Sequence, residues 1–161
     1  MGAVDLLVVI QEAFAKQGVV LNSCKAPPLR LNFANGSEDV STSLFPVPFM
    51  MFNMVLKFRL LNAPGPCLLG EDAHETLKLV VDHETGQVYS KVLNKSINAE
   101  RLEPSRHLAI DVCDPKWLEL LDDAATRDRL IRGLEATQGS HDNYAADSVS
   151  KSTQSTYQSS R

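Results

Sequence analysis

Between Phe49 and Leu61 large apolar side chains occupy every even position: Met50, Phe52, Met54, Leu56, Phe58 and Leu60. Side chains of an extended strand alternate with period two, so these six would share one face. The odd face holds Phe49, Met51, Asn53, Val55, Lys57, Arg59 and Leu61, apolar at its start and cationic toward its end. The pattern predicts one long strand over 49–61, with a core face and a mixed face.

Upstream, Leu6, Leu7, Ile10, Ala13 and Phe14 recur at helical spacing and predict a helix over 4–17, stopped by Gly18. Val8 and Val9 widen its apolar arc, so cover on more than one side is expected. Leu29 to Phe33 alternates cleanly, and Asn35-Gly36 predicts a hairpin through a type I′ turn, because both residues tolerate positive φ. The return strand is expected over 38–44, broken by Pro46 and Pro48 before the long strand begins.

The cluster Asn62-Ala63-Pro64-Gly65-Pro66 ends the long strand. Cys67-Leu68-Leu69 reads as a short strand, followed by an acidic loop at Glu71-Asp72. Thr76–Asp82 and Gln87–Leu93 then read as a second hairpin, reversed by His83-Glu84-Thr85-Gly86. Ser96–Leu102 reads as a helical turn and 108–112 as a last strand. Asp114-Pro115 combines an N-cap with proline at the first helical position, a strong helix start. Trp117, Leu118, Leu120, Leu121 and Ala124 supply its buried stripe, extended by Leu130, Ile131 and Leu134. Asp122-Asp123 offers a second cap, so one bent helix and two short ones both fit.

The order is a helix, five or six antiparallel strands and a C-terminal helix. It predicts an α+β fold, one mainly antiparallel sheet with helices packed on it. Residues 1–137 read as a single domain. Residues 138–161 are rich in Ser, Thr, Gln and Asn and nearly lack aliphatic side chains, so a disordered tail is expected there.

Composition narrows the class. At 161 residues, 43% hydrophobic and 22% charged, the chain is ordinary for a globular domain. A net charge of -4 argues against coating nucleic acid through overall charge. Cys24, Cys67 and Cys113 are few, odd in number and far apart, which reads as free thiols in a reducing, cytoplasmic setting. The apolar run near the N-terminus is short, lacks a basic flank and is bracketed by Asp5 and Glu12, unlike a secretory leader or membrane span.

Catalytic signatures are sparse. No glycine-rich phosphate loop and no Gly-x-Ser-x-Gly elbow occurs in the chain. Glu71, Asp72, His74 and Glu75 form one polar cluster, and Asp82, His83 and Glu84 another. At opposite ends of a seven-residue strand they would stand about 23 Å apart, too far to share one metal. His107 and Cys113 share a strand face but lie about 20 Å apart in extended chain, too far for a nucleophile and its base. No catalytic or metal-ligating residue and no cofactor is assigned.

Charge segregation is more informative. Arg30, Lys57, Arg59, Lys78 and Lys91 are expected opposite the core, whereas the acids gather in loops and on the last helix. A basic outer face suits an acidic peptide, RNA or an anionic lipid surface; lysine and arginine also serve simply to solvate a sheet and guard its edges.

Leu68-Leu69-Gly70-Glu71-Asp72, Leu77-Lys78-Leu79-Val80-Val81-Asp82 and Thr85-Gly86-Gln87-Val88-Tyr89 together resemble the strand–strand hairpin of the SUKH superfamily. That resemblance implies an α+β binding module, many members of the superfamily being immunity proteins that neutralise toxins. The superfamily's glycine-rich entry and its asparagine-serine helix have no counterpart in this chain.

The leading reading is a non-enzymatic protein-interaction or assembly module. Its contact surface would be the outer face of the long strand, formed by Phe49, Met51, Asn53, Val55, Lys57 and Arg59 with Arg30 and Lys78, and its partner another protein or a second copy. Exposed Met and Phe beside Arg is a composition favoured at interfaces. The alternatives are a coat- or matrix-type binder of RNA or acidic lipid, a SUKH-like immunity module, and a metal-assisted enzyme built on His74 or His83.

Overall fold

The structure is a computed structural model describing residues 3–62 and 68–137, with the side chains of residues 3, 4 and 72 left undescribed. The breaker residues 63–66, the start of the expected strand at Cys67 and the polar tail 138–161 therefore lie outside the described residues.

Helix α1, Ala3–Lys16, forms where the apolar spacing requires it and buries Leu7, Ile10 and Phe14. It ends in a Schellman motif: Gly18 adopts φ +76, its N–H donates to the Ala15 carbonyl at 2.9 Å, and the Val19 N–H reaches back to Phe14 at 3.0 Å. Val19 and Leu21 follow the turn into the core. Val8 and Val9 are both 44% exposed, so the expected cover on a second side of α1 is absent among the described residues.

Three strands then form an antiparallel meander: β1 Cys24–Asn32, β2 Glu38–Phe49 and β3 Met54–Arg59. Asn35-Gly36 does sit at the first reversal, but the turn is not type I′. The Gly36 N–H donates to the Phe33 carbonyl at 2.9 Å, and of the loop residues Gly36 alone takes positive φ, at +82. Ala34 and Asn35 thus fill an ordinary turn and the glycine supplies the left-handed residue of a three-residue loop. The Asn35 carboxamide oxygen tightens it by accepting from the Ser37 amide and hydroxyl.

The long strand over 49–61 is corrected by the structure. Met50–Phe52 form a 3-10 turn, Asn53 takes a left-handed conformation at φ 52, and the chain reverses onto β2. Phe49 pairs with Met54, Val47 with Leu56 and Phe45 with Phe58. Pairing an odd with an even residue inverts the parity, so Phe49 and Val55 occupy opposite faces of the sheet. Asn53 was the cue: a lone amide in an apolar run, of a type that tolerates the left-handed region.

Nor do Pro46 and Pro48 break β2. The Leu60 N–H donates to the Ser43 carbonyl at 3.0 Å, so pairs 43/60, 45/58, 47/56 and 49/54 carry the β2–β3 hydrogen bonds. At positions 46 and 48 the missing N–H would point away from β3. On that side β1 has already ended, because its register with β2 stops at Cys24 opposite Leu44. Proline is tolerated where no partner needs its donor.

The second half of the chain departs further from the sequence pattern. Glu71–Leu77 is a helix, α2, rather than an acidic loop and the first residues of a strand, and Lys78 ends it at φ 45. The next sheet is β4 Leu79–Asp82, β5 Gln87–Ser90 and β6 Lys95–Asn98. Where a helical turn is expected over 96–102, β6 is followed by β7 Glu100–Arg101, paired with β8 Leu108–Ala109. Asp114 caps α3, Pro115–Leu118, by accepting from the Lys116 N–H at 3.0 Å. After a 3-10 turn over Glu119–Asp122, Asp123 caps a second helix, α4, over residues 124–137. Of the two helical arrangements, two separate helices form.

Among the described residues the fold is α+β with antiparallel pairing throughout, its strands divided among three small sheets rather than gathered into one. One contiguous core draws on α1, β2, the turn at 50–52, β5, β6, α3 and α4, with Phe14, Phe45, Phe52, Leu77 and Leu121 at 2% exposure or less. The β4–β5 reversal depends on Gly86. Its φ is +75, its N–H reaches the Asp82 carbonyl at 2.9 Å, and a Cβ there would lie 3.1 Å from the Ala99 carbonyl oxygen. Gly36 has nothing within 4 Å of that position. Gly36→Ala should therefore cost about 1 kcal/mol, from its left-handed backbone alone, and Gly86→Ala about 2–3 kcal/mol. Urea denaturation of the two variants at equal m-value checks the ranking.

Candidate functional site

The expected contact residues separate into distinct environments. Phe49 and Met51 are 4% and 1% exposed, so the apolar lead-in of the expected surface belongs to the core. Phe49 stacks on Phe58 with ring centroids 6.2 Å apart. This is the second consequence of the reversal at 50–53: the residues that read as the start of an outer face are folded inward.

Four others do share a face. Arg30 pairs with Val40, Arg59 with Leu44, Lys57 with Pro46 and Val55 with Pro48, which aligns Arg30, Arg59, Lys57 and Val55 on one side of the β1–β2–β3 sheet. That side is neither bare nor uniformly cationic. A Cβ on Gly133 of α4 would meet Val55 Cγ2 at 4.0 Å, and Leu134 and Thr137 close a small cavity with Cys24 and Pro46. The C-terminal helix thus lies over the middle of the face. Arg59 is half-buried and donates to the Pro27 carbonyl at 2.7 Å, bracing the bulge that Pro27-Pro28 puts into β1. Arg30 is exposed and bonded to Glu38 at 2.8 Å. Lys57 remains, exposed and without such a partner among the described residues.

Lys78 lies elsewhere. It is the left-handed cap of α2, its N–H bonds to Glu75, and its carbonyl accepts from the Lys91 N–H at 3.2 Å. Asn53 is exposed on the β2–β3 turn and lines a cavity of about 230 Å³ with Met50, Lys95, Leu120, Thr126 and Arg129. Lys95, Thr126 and Arg129 are residues that the sequence does not single out. Thr126 and Arg129 are one turn apart on α4, but Lys95 stands on β6, and no local pattern links it to them.

The geometry of β3 adds a feature of the backbone. Its even residues direct their amides to β2, so those of Val55, Lys57 and Arg59 point to the outer edge. No described strand pairs with that edge. The other side of the ribbon is closed to pairing at Pro46 and Pro48, which have no N–H to offer.

The clusters considered for chemistry are accounted for locally. Glu71, His74 and Glu75 stand on α2, whereas Asp82 organises the β4–β5 turn, accepting from the amides of Glu84 and Thr85 and from the Thr85 hydroxyl. The Thr85 hydroxyl, followed by the two amides, holds the Asp82 carboxyl below its ordinary value. Among the described residues no group of three His, Cys, Asp or Glu is placed to hold a metal ion. No described helix is long and apolar enough to cross a membrane.

Comparison with protein families, with curated proteins and with solved structures finds no match to this chain. The likeness of residues 68–89 to the SUKH hairpin is thus carried by those residues alone. They form the end of the loop, α2 and the β4–β5 hairpin.

Cys113 is half-buried, and burial, with Asp111 adding to it, pushes its thiol up to about 11. A raised value leaves almost no thiolate at neutral pH, the opposite of an activated nucleophile. Alkylation of folded Cys113 by iodoacetamide should stay slow from pH 7 to 9 and accelerate only as pH approaches 11. The folded chain holds this proton more tightly than the unfolded one, so the group's contribution to stability is complete below about pH 9 and is lost as pH rises through 11. Mass-spectrometric labelling across that range, compared with the denatured chain, measures both.

Proposed function

We propose that this protein is a non-enzymatic interaction module that captures an acidic, extended segment of a partner protein along the outer edge of β3. The observation that carries this reading is the asymmetry of the β2–β3 ribbon. One side is sealed by Pro46 and Pro48; the other presents the amides of Val55, Lys57 and Arg59 with no described strand beside them. An added strand gains affinity from main-chain hydrogen bonds and specificity from alternate side chains. Leu56 and Phe58 on one side of the ribbon and Val55 on the other are half-buried, which supplies apolar contact. Lys57, an exposed cation on the edge strand itself, favours a carboxylate opposite it. Engagement of Arg30 by Glu38 and of Arg59 by Pro27 weakens the alternative of a broad anionic surface partner such as RNA or lipid. A reducing intracellular compartment fits the unpaired thiols of Cys24 and Cys113.

Lys57→Pro tests the edge directly. It removes one outward N–H and leaves the β2–β3 ladder intact, and the residue before it is already extended. The probe is a short peptide alternating valine and glutamate. Its addition should raise hydrogen-exchange protection at Val55, Lys57 and Arg59, and Lys57→Pro should weaken its binding at least tenfold with the thermal midpoint nearly unchanged. Unchanged protection in the presence of peptide would refute strand addition. Solution mass at two protein concentrations identifies the partner further: a dimer that Lys57→Pro dissolves makes it a second copy of this chain.

A further inference from the structure

Asn53, Lys95 and the α4 pair Thr126 and Arg129 belong to three separate stretches of chain, and the fold gathers them around the cavity of about 230 Å³ whose apolar walls are Met50 and Leu120. Neutral groups hold both cations in place. Lys95 Nζ donates to the Met51 carbonyl at 3.3 Å, and Arg129 Nη2 donates to Thr126 Oγ1 at 3.2 Å. Neither joins an ion pair among the described residues. Asp123, beside Thr126, is occupied in capping α4: its carboxylate accepts from the Thr126 amide at 2.8 Å and from the Thr126 hydroxyl at 2.7 Å. Arg129 contributes to holding that carboxyl below its ordinary value, after the two hydrogen bonds from Thr126. The residues that line the cavity include two cations, Lys95 and Arg129, and no carboxylate. At its rim Asn53, set at φ 52 by the β2–β3 turn, has a side-chain amide with no hydrogen bond among the described residues.

Two cations and an amide donor suit an oxyanion with charge near −2, which a phosphate monoester carries at neutral pH. Arginine offers a planar fork to two phosphoryl oxygens, and lysine a compact point charge to a third. The volume is below the range of about 300–1,000 Å³ typical of drug-sized ligands, so it suits a head group on a short stem rather than a nucleotide. Half-exposed Leu120 and buried Met50 give such a stem an apolar wall. We propose that this cavity binds a small phosphomonoester, with Lys95, Arg129 and Asn53 on the phosphoryl oxygens and Met50 and Leu120 against its carbon stem. The site is independent of strand addition at β3.

The test is an amide-resolved NMR titration of the full chain with inorganic phosphate, glycerol 3-phosphate and glycerol. Both phosphates should shift the amides of residues 53, 95, 126 and 129 saturably at millimolar concentration, glycerol 3-phosphate binding the tighter and glycerol leaving them unmoved. Lys95→Ala and Arg129→Ala should each weaken binding roughly tenfold, the loss of one charge-assisted contact. Lys91→Ala, an exposed lysine on the β5–β6 turn, should change nothing, and neither should Lys57→Pro. Absence of saturable shifts, or shifts that survive both alanine variants, would overturn the phosphate site. Equal affinity for the two phosphates would overturn the contact to the stem. The spectra themselves report whether each variant is folded.

Discussion

Residues Leu44 to Phe49 of β2 are buried at every position, on both faces of the strand, and the rest of the molecule is arranged to satisfy them. A strand covered on both sides cannot stand at the surface of a two-layer fold, so the chain has to supply cover twice. On the side of Phe45, Val47 and Phe49 the turn at 50–53 returns β3 with Met54, Leu56 and Phe58 on the same face, and these residues join the core shared with α1. On the side of Pro46 and Pro48, α4 closes over Val55 and Pro46. Each large apolar side chain removed from water contributes about 1.5–3 kcal/mol, so this one segment is a major share of what holds the fold together.

The same constraint shapes the surface. Because β2 is covered, the cations opposite its second half are spread along the margins: Arg59 is drawn inward to the Pro27 carbonyl, and Lys57 stays at the edge. The prolines that fill the inner strand remove donors from one side of the ribbon, leaving the other as the side with outward amides. The turn that reverses the chain also lifts Asn53 out of the core, beside Lys95 and the first turn of α4. Edge and cavity are thus both by-products of folding one apolar run back on itself.

Where local chemistry sets a structure, the sequence was readable. Gly18 ends α1, Asp114-Pro115 starts α3, Asp123 caps α4 and Asn35-Gly36 reverses the first hairpin, each through a contact within a few residues. The readings that failed depend on distant partners. An alternating run such as 49–61 fits one strand or two equally well, since two paired strands also alternate. The segment 71–77 carried an acidic loop signal but forms a helix whose end is tied to the β5–β6 turn through Lys78 and Lys91. Residues 96–102 lacked strand periodicity and became strands because β5 and β8 offered edges to pair with.

By itself the sequence determined the α+β class, the antiparallel pairing, the two caps of the C-terminal helices and the cationic character of positions 30, 57 and 59. These follow from side-chain periodicity, turn chemistry and charge, which act over a few residues. The tertiary structure alone decided that Phe49 and Met51 are core rather than contact surface, that α4 lies over Val55, and that Lys95 and Arg129 meet beside Asn53. Each of those outcomes depends on which apolar faces cover each other, and that is a competition among distant segments which no local pattern encodes.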